Sequence, residues 1–161
     1  MPLPRLRDFY VAELSALYQA EEEILRQLPL LAARASDDAL RQIFDEHYRE
    51  TQTHLTRLSE IFDQLDERRR HSAAPAIRGL AEEANLQQAL LDRGPLLDLA
   101  LIGAGRRIEH YEIGAYSATI GYARRLGHRD AVDLMLETLE EERQADNRLE
   151  LLPAPAHQTA A

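Results

Sequence analysis

Four long stretches of the chain repeat apolar residues at steps of three and four, the spacing of one helical face, and none alternates strictly as a half-buried strand does. The first runs from about Arg5 to Arg34, with Leu6, Tyr10, Leu14, Leu17, Ile24, Leu28 and Leu31 on one seam. Ser36 then predicts an N-cap, with Asp37 and Asp38 suited to the first turn, and a second helix continues to about Leu65 along Ile43, Leu58 and Ile61. Asp66 to Pro75 is polar and predicts a connection, followed by a short helix over about Ile77 to Leu91. Asp92-Arg93-Gly94-Pro95 breaks the chain and restarts it, with Pro95 in the first turn of a third long helix. That helix passes through Leu97, Leu101, Ala104, Ile108, Ala115 and Thr119 to about Leu126, where Gly127 supplies a stop. A fourth long helix follows from about Arg129 to Leu152. The pattern predicts one all-α domain over residues 1–152, two antiparallel hairpins joined by a crossover with a short extra helix, and a disordered tail over 153–161.

Charged residues interrupt these seams at one level. Counted from the first hairpin near Ser36, Glu21 lies 15 positions before and Glu50 lies 14 after. Counted from Gly127, Glu112 is 15 before and Glu142 is 15 after. At about 1.5 Å per residue, antiparallel helices bring such pairs to similar depth. His54 follows Glu50 by four residues, Glu109 precedes Glu112 by three, and Asp146 follows Glu142 by four, each within reach on its own helix. The candidate metal ligands are therefore Glu21, Glu50, His54, Glu109, Glu112, Glu142 and Asp146. Glu141 competes with Glu142, which is preferred because it shares its seam with Leu139 and Leu149. His47 is either an added partner of the site or a solvent-facing residue, and the expectation leaves it off the ligand set.

Composition narrows the chemistry. Without cysteine, disulfides and thiolate-held metals are excluded, so any ion must be held by oxygen and imidazole. The net charge of −9, from 28 acidic against 19 basic residues, disfavours nucleic-acid binding and directs attention to cations. No run is long and apolar enough for a membrane span, and the start lacks the apolar stretch of a signal peptide, so the expectation is a cytoplasmic protein. Six acids and one imidazole in a low-dielectric centre cannot all stay charged and unpaired, and two divalent ions resolve the conflict. Iron is expected first and manganese second, both suited to carboxylate and imidazole donors. Apolar residues outside the main seams, such as Ile113, Ile120 and Tyr122, predict a homodimer.

The blocks DFYVAELSALYQAEEEILRQLPLLA, HYRETQTHLTRLSEIF, RRIEHYEIGAYSATIGYARRLGH and TLEEERQADNRL resemble the YciF/YciE type of bacterial stress-associated ferritin-like proteins. The resemblance covers roughly residues 5–152 and implies a ferritin-like four-helix bundle, similar to rubrerythrin and bacterioferritin, with a di-metal centre. It matches Glu21 to the single carboxylate of the first helix, and Glu109 and Glu112 to the Glu-x-x-Glu of the third. Where such bundles usually carry Glu-x-x-His on helices two and four, this chain has Glu50-x-x-x-His54 and Glu142-x-x-x-Asp146, a more carboxylate-rich shell. The function this implies is metal binding, with oxidation by oxygen or peroxide, during stress. The lack of cysteine removes a rubredoxin-like electron-input domain, so turnover needs an outside reductant. The competing expectation is a metal-poor bundle acting as a structural or interaction protein, which arginine facing inward at the site level would favour.

Overall fold

A computed structural model describes residues 5–153; most of the expected tail, residues 154–161, lies outside the described residues. Among the described residues five helices follow one another: α1 (Leu6–Arg34), α2 (Asp38–Leu65), α3 (Pro75–Ala89), α4 (Pro95–Leu126) and α5 (Arg129–Glu150). Among the described residues there is no strand, and no helix is long and apolar enough to cross a membrane. The four long helices close into a bundle in which α1 packs on α2 and α4, and α5 packs on α4 and α2. Within the crossover, α3 lies against α4 and α1.

Seams with alternating steps of four and three explain why these helices pack lengthwise. On α1 the buried positions include Tyr10, Leu14, Leu17, Glu21, Ile24, Leu28 and Leu31, and Ala35 completes the series. On α2 they include Leu40, Phe44, His47, Thr51, His54, Leu58, Ile61 and Leu65. Each series places a polar side chain at its middle. The apolar core is accordingly divided in two, one cluster around Leu14, Ile61, Tyr116 and Met135, the other around Ile24, Phe44, Leu101 and Leu149. Between them runs a buried polar belt.

The chain reversals fix the depth of that belt. Asp37, not the expected Ser36, caps α2, its Oδ1 accepting from Leu40 N at 2.8 Å. Ser36 is engaged elsewhere, because buried Asp98 of α4 accepts from Ser36 N at 2.8 Å, Ser36 Oγ at 2.5 Å and Asp37 N at 3.1 Å. The first hairpin is thereby tied to the start of the second. Gly127 ends α4 in the left-handed region, φ 78°, which glycine adopts without a Cβ clash. Gly105 has a different reason: a Cβ there would lie 2.9 Å from Leu149 Cδ1 and 3.2 Å from Phe44 Cε1, so its absence lets α4, α5 and α2 approach just beside the belt. Pro29 sits within α1 on an exposed position.

Candidate metal centre

The belt is built by all four long helices. Glu21 comes from α1, His47 and His54 from α2, Glu109 and Glu112 from α4, and Glu142 from α5, and none is more than 3% exposed. Their donor atoms converge in two groups that share Glu142: His47, Glu109, Glu112 and Glu142 in one, Glu21, His54 and Glu142 in the other. In the first, His47 Nε2 lies 3.4 Å from Glu109 Oε1, 3.7 Å from Glu142 Oε2 and 3.8 Å from Glu112 Oε2. In the second, His54 Nδ1 lies 3.0 Å from Glu142 Oε1 and 3.5 Å from Glu21 Oε1. The two rings are 6.3 Å apart between centroids.

Burial and mutual charge work against each other here. Burial, with the nearby carboxylates, pushes Glu109 and Glu112 well above the usual carboxyl range and favours their neutral forms. Burial would raise Glu142 as well, but His47 and His54 outweigh it and hold this carboxyl below its ordinary value. For His47 burial alone would lower the pKa; Glu109, Glu142 and Glu50 overcome it and raise it to about 9. His54 is raised too, because Glu21, Glu141 and Glu142 outweigh its burial. Without an ion, these shifts favour imidazolium and protonated carboxyls, which balance the belt's charge.

Of the seven residues expected as ligands, the structure brings together Glu21, His54, Glu109, Glu112 and Glu142. Glu50 stands on the shoulder of α2, its Oε2 accepting from Arg148 at 2.6 Å and lying 3.4 Å from His47 Nδ1. Asp146 turns to the outer side and pairs with Arg106 at 2.8 Å and with exposed His110 at 3.1 Å. Helical phase accounts for both. Buried positions on α5 run through Met135, Thr138, Glu142, Ala145 and Leu149, which leaves residue 146 off the seam. On α2 the seam runs 47, 51, 54, so residue 50 falls beside it. The same seam identifies His47, the donor that the spacing of Glu50 and His54 did not place inside: Leu40, His47, His54 and Ile61 recur every seven residues.

Other candidates divide between support and packing. Tyr116, fully buried, donates to Glu21 Oε1 and orients that carboxylate. Glu141 faces the outer side of His54 and holds Arg57 through two hydrogen bonds of 2.5 and 2.9 Å. The hydrogen bond from His54, joined by Arg57, outweighs burial and keeps this carboxyl at about 2. Among the described residues, the arginines at this level pair with the edge carboxylates Glu50 and Glu141 rather than with the central ones. Tyr18 packs under the Arg69 guanidinium at 3.9 Å, beside a polar cavity of about 560 Å³ that Arg68, Arg69 and Arg70 help to line. His128 stacks on Tyr10 at the start of α5. Ile120 belongs to the core, and Ile113 and Tyr122 pack partly buried against it.

Whether these residues fit a metal pair is decided by their unsatisfied atoms. A buried polar group without a partner costs about 1–3 kcal/mol, more if charged. Eight of the ten such side-chain atoms found among the described residues belong to this belt: Glu21 Oε2, His47 Nε2, His54 Nδ1, Glu109 Oε2, and both oxygens of Glu112 and of Glu142. They face one another; His54 Nδ1 and Glu142 Oε1 are 3.0 Å apart without the alignment of a hydrogen bond, and cation coordination is a contact that would satisfy the whole set together. The donor set, oxygen and imidazole from four helices, fits two divalent ions.

An all-α bundle with this connectivity, carrying carboxylates and imidazoles at its centre, is a ferritin-like four-helix bundle. The chain belongs to the family described as Domain of unknown function (DUF892), which matches residues 5–161. Protein YciF of Escherichia coli (strain K12) is 34% identical over 150 residues, 92% of this chain and 90% of that protein. The crystal structure of the E. coli stress protein YciF superimposes with a TM-score of 0.89, covering 92% of this chain and 94% of the other. YcfI from Rhodopseudomonas palustris, provisionally described as a structural protein, gives a TM-score of 0.90 at 32% identity, over 92% and 95% of the two chains. A Xanthomonas campestris pv. campestris protein at 19% identity shares the fold, with a TM-score of 0.71 over 91% and 89%.

Proposed function

We propose that the protein holds two metal ions, iron or manganese, in the polar belt and serves as a ferritin-like metal protein in a stress response. His47, Glu109, Glu112 and Glu142 would hold one ion, and Glu21, His54 and Glu142 the other. The observation that carries the reading is the set of eight buried donor atoms that no protein partner satisfies. The assignment to stress rests on the kinship with YciF, the E. coli stress protein. When bound, a pair of such ions supplies a redox-active Lewis-acid centre able to react with oxygen or peroxide. The chain itself does three things. Its two apolar clusters close both ends of the belt to water, Tyr116 orients Glu21, and the short hairpin turns keep all donors at one depth.

A second reading, a metal-poor structural bundle, draws on the provisional description of the R. palustris relative and on the protons that balance the belt's charge without an ion. Thermal unfolding of metal-stripped protein separates the two. Binding to the native state alone adds about 2.7 kcal/mol at a hundredfold excess of free ion over Kd, so iron(II) or manganese(II) should raise the melting temperature by several degrees. A melting curve that neither ion moves contradicts the metal reading.

A further inference from the structure

The two buried imidazoles present different nitrogens to the belt, and each is held from behind by a carboxylate and an arginine. His47 turns Nε2 toward Glu109 at 3.4 Å, and its Nδ1 lies 3.4 Å from Glu50, which accepts from Arg148 at 2.6 Å. His54 is reversed. Its Nδ1 faces Glu142 at 3.0 Å, and its Nε2 lies 2.9 Å from Glu141, which Arg57 grips through both terminal nitrogens. Both arginines are half-buried, so neither backing pair is a freely solvated surface contact.

Resting on the metal reading above, we infer that Glu50 and Glu141 are positioning residues that make the two ion sites chemically distinct, one ligated through His47 Nε2 and the other through His54 Nδ1. The physical reason is that a neutral imidazole has one N–H and one lone pair. A carboxylate accepting the N–H on one nitrogen fixes the lone pair on the other, and sets the ring's rotation and basicity. Each arginine occupies an oxygen of the backing carboxylate and keeps it from swinging into the belt as a ligand. With the belt-facing nitrogen as ligand, the opposite N–H would donate to Glu50 from His47 and to Glu141 from His54. The contact at His54 is the shorter, so the effect of losing Glu141 is the larger.

The test uses the full chain with 15N-labelled histidine, loaded with diamagnetic zinc(II), and reads long-range 1H–15N correlations of the two rings. His47 should be protonated on Nδ1 and metallated on Nε2, and His54 protonated on Nε2 and metallated on Nδ1. Glu141→Leu, which removes the acceptor, should abolish this pattern at His54 alone and weaken one of the two zinc sites about 10–100-fold. Glu141→Gln retains an acceptor oxygen and should restore most of the affinity and the protonation pattern. Two rings metallated through the same nitrogen in the wild type, or an unchanged His54 spectrum and affinity in Glu141→Leu, overturns the inference while leaving metal binding intact. No zinc uptake by the wild type removes the metal reading and the inference together.

Discussion

The two ends of the bundle and its middle are assembled on the same seams by opposite rules. At the end around Leu14, Ile61 and Met135, the inward positions are mainly apolar, and their contacts are formed by folding alone. In the belt, the same α1 seam delivers Glu21 and the same α2 seam delivers His47, Thr51 and His54, and folding leaves donors facing donors. The difference teaches where stability resides and where it is spent. Apolar burial contributes roughly 25 cal/mol per Å² removed from water, whereas a buried polar group contributes only if it is partnered. The ends stabilise the molecule, and the middle draws on that stability to hold a costly arrangement in place.

The largest effect should come from damaging an end. Leu14, fully buried, should cost about 2–5 kcal/mol when changed to Ala, and the cost should be the same with and without metal. Urea unfolding midpoints of the two forms measure it, and a strong metal dependence would erase the distinction between ends and middle. The next effect belongs to the middle. In metal-free protein the His47 pKa is raised from 6.5 to about 9, so its contribution to stability is complete below about pH 6.5 and is lost as pH rises through about 9. Glu109 and Glu112, also raised, act in the same direction, because the folded state binds protons that the unfolded state releases. Metal-free protein should therefore be a few kcal/mol less stable at pH 9 than at pH 6.5, read from urea midpoints across that range. A midpoint that rises with pH would contradict the charge balance described for the belt.

Asp146 sharpens the comparison from outside. Although it follows Glu142 by one turn, it belongs to neither rule, since it pairs with Arg106 and His110 on the half-exposed side of α5. Arg106 and His110 outweigh partial burial and lower its pKa from 3.8, so its contribution is present above that pH and lost as pH falls through the folded-state value. Asp146→Asn should cost below about 1 kcal/mol at neutral pH and leave metal content unchanged. Loss of metal in this variant would return Asp146 to the centre.

Most of the architecture was legible from apolar spacing, because helices of this length repeat their seam often enough for errors of one residue to average out. The helix ends were also marked by chemistry, as with Pro95 and Gly127. Ser36 was the exception: a local rule identified it as a cap, but Asp98, distant in sequence, claimed its hydroxyl. The belt was legible only in depth. Counting from the hairpins located Glu21, Glu112 and Glu142 at one level, yet depth does not determine which side of a helix a residue faces. Glu50 and His47 differ by three residues, about 60° around α2, and only the continuous series from Leu40 to Leu65 identifies the inward one. Asp146 lies one residue past Ala145, which takes the inward position.

The central claim is that the belt is a metal centre, and metal content per chain tests it most directly. Glu112→Gln keeps the size of a side chain that is only 1% exposed and removes its capacity to carry negative charge, while Glu82→Gln makes the same change at an exposed position of α3. After loading with iron(II) or manganese(II) and removal of free ion, wild type and Glu82→Gln should each carry close to two ions per chain. Glu112→Gln should carry clearly fewer while keeping its helical content. Equal metal in all three proteins, whether two ions or none, would contradict the account.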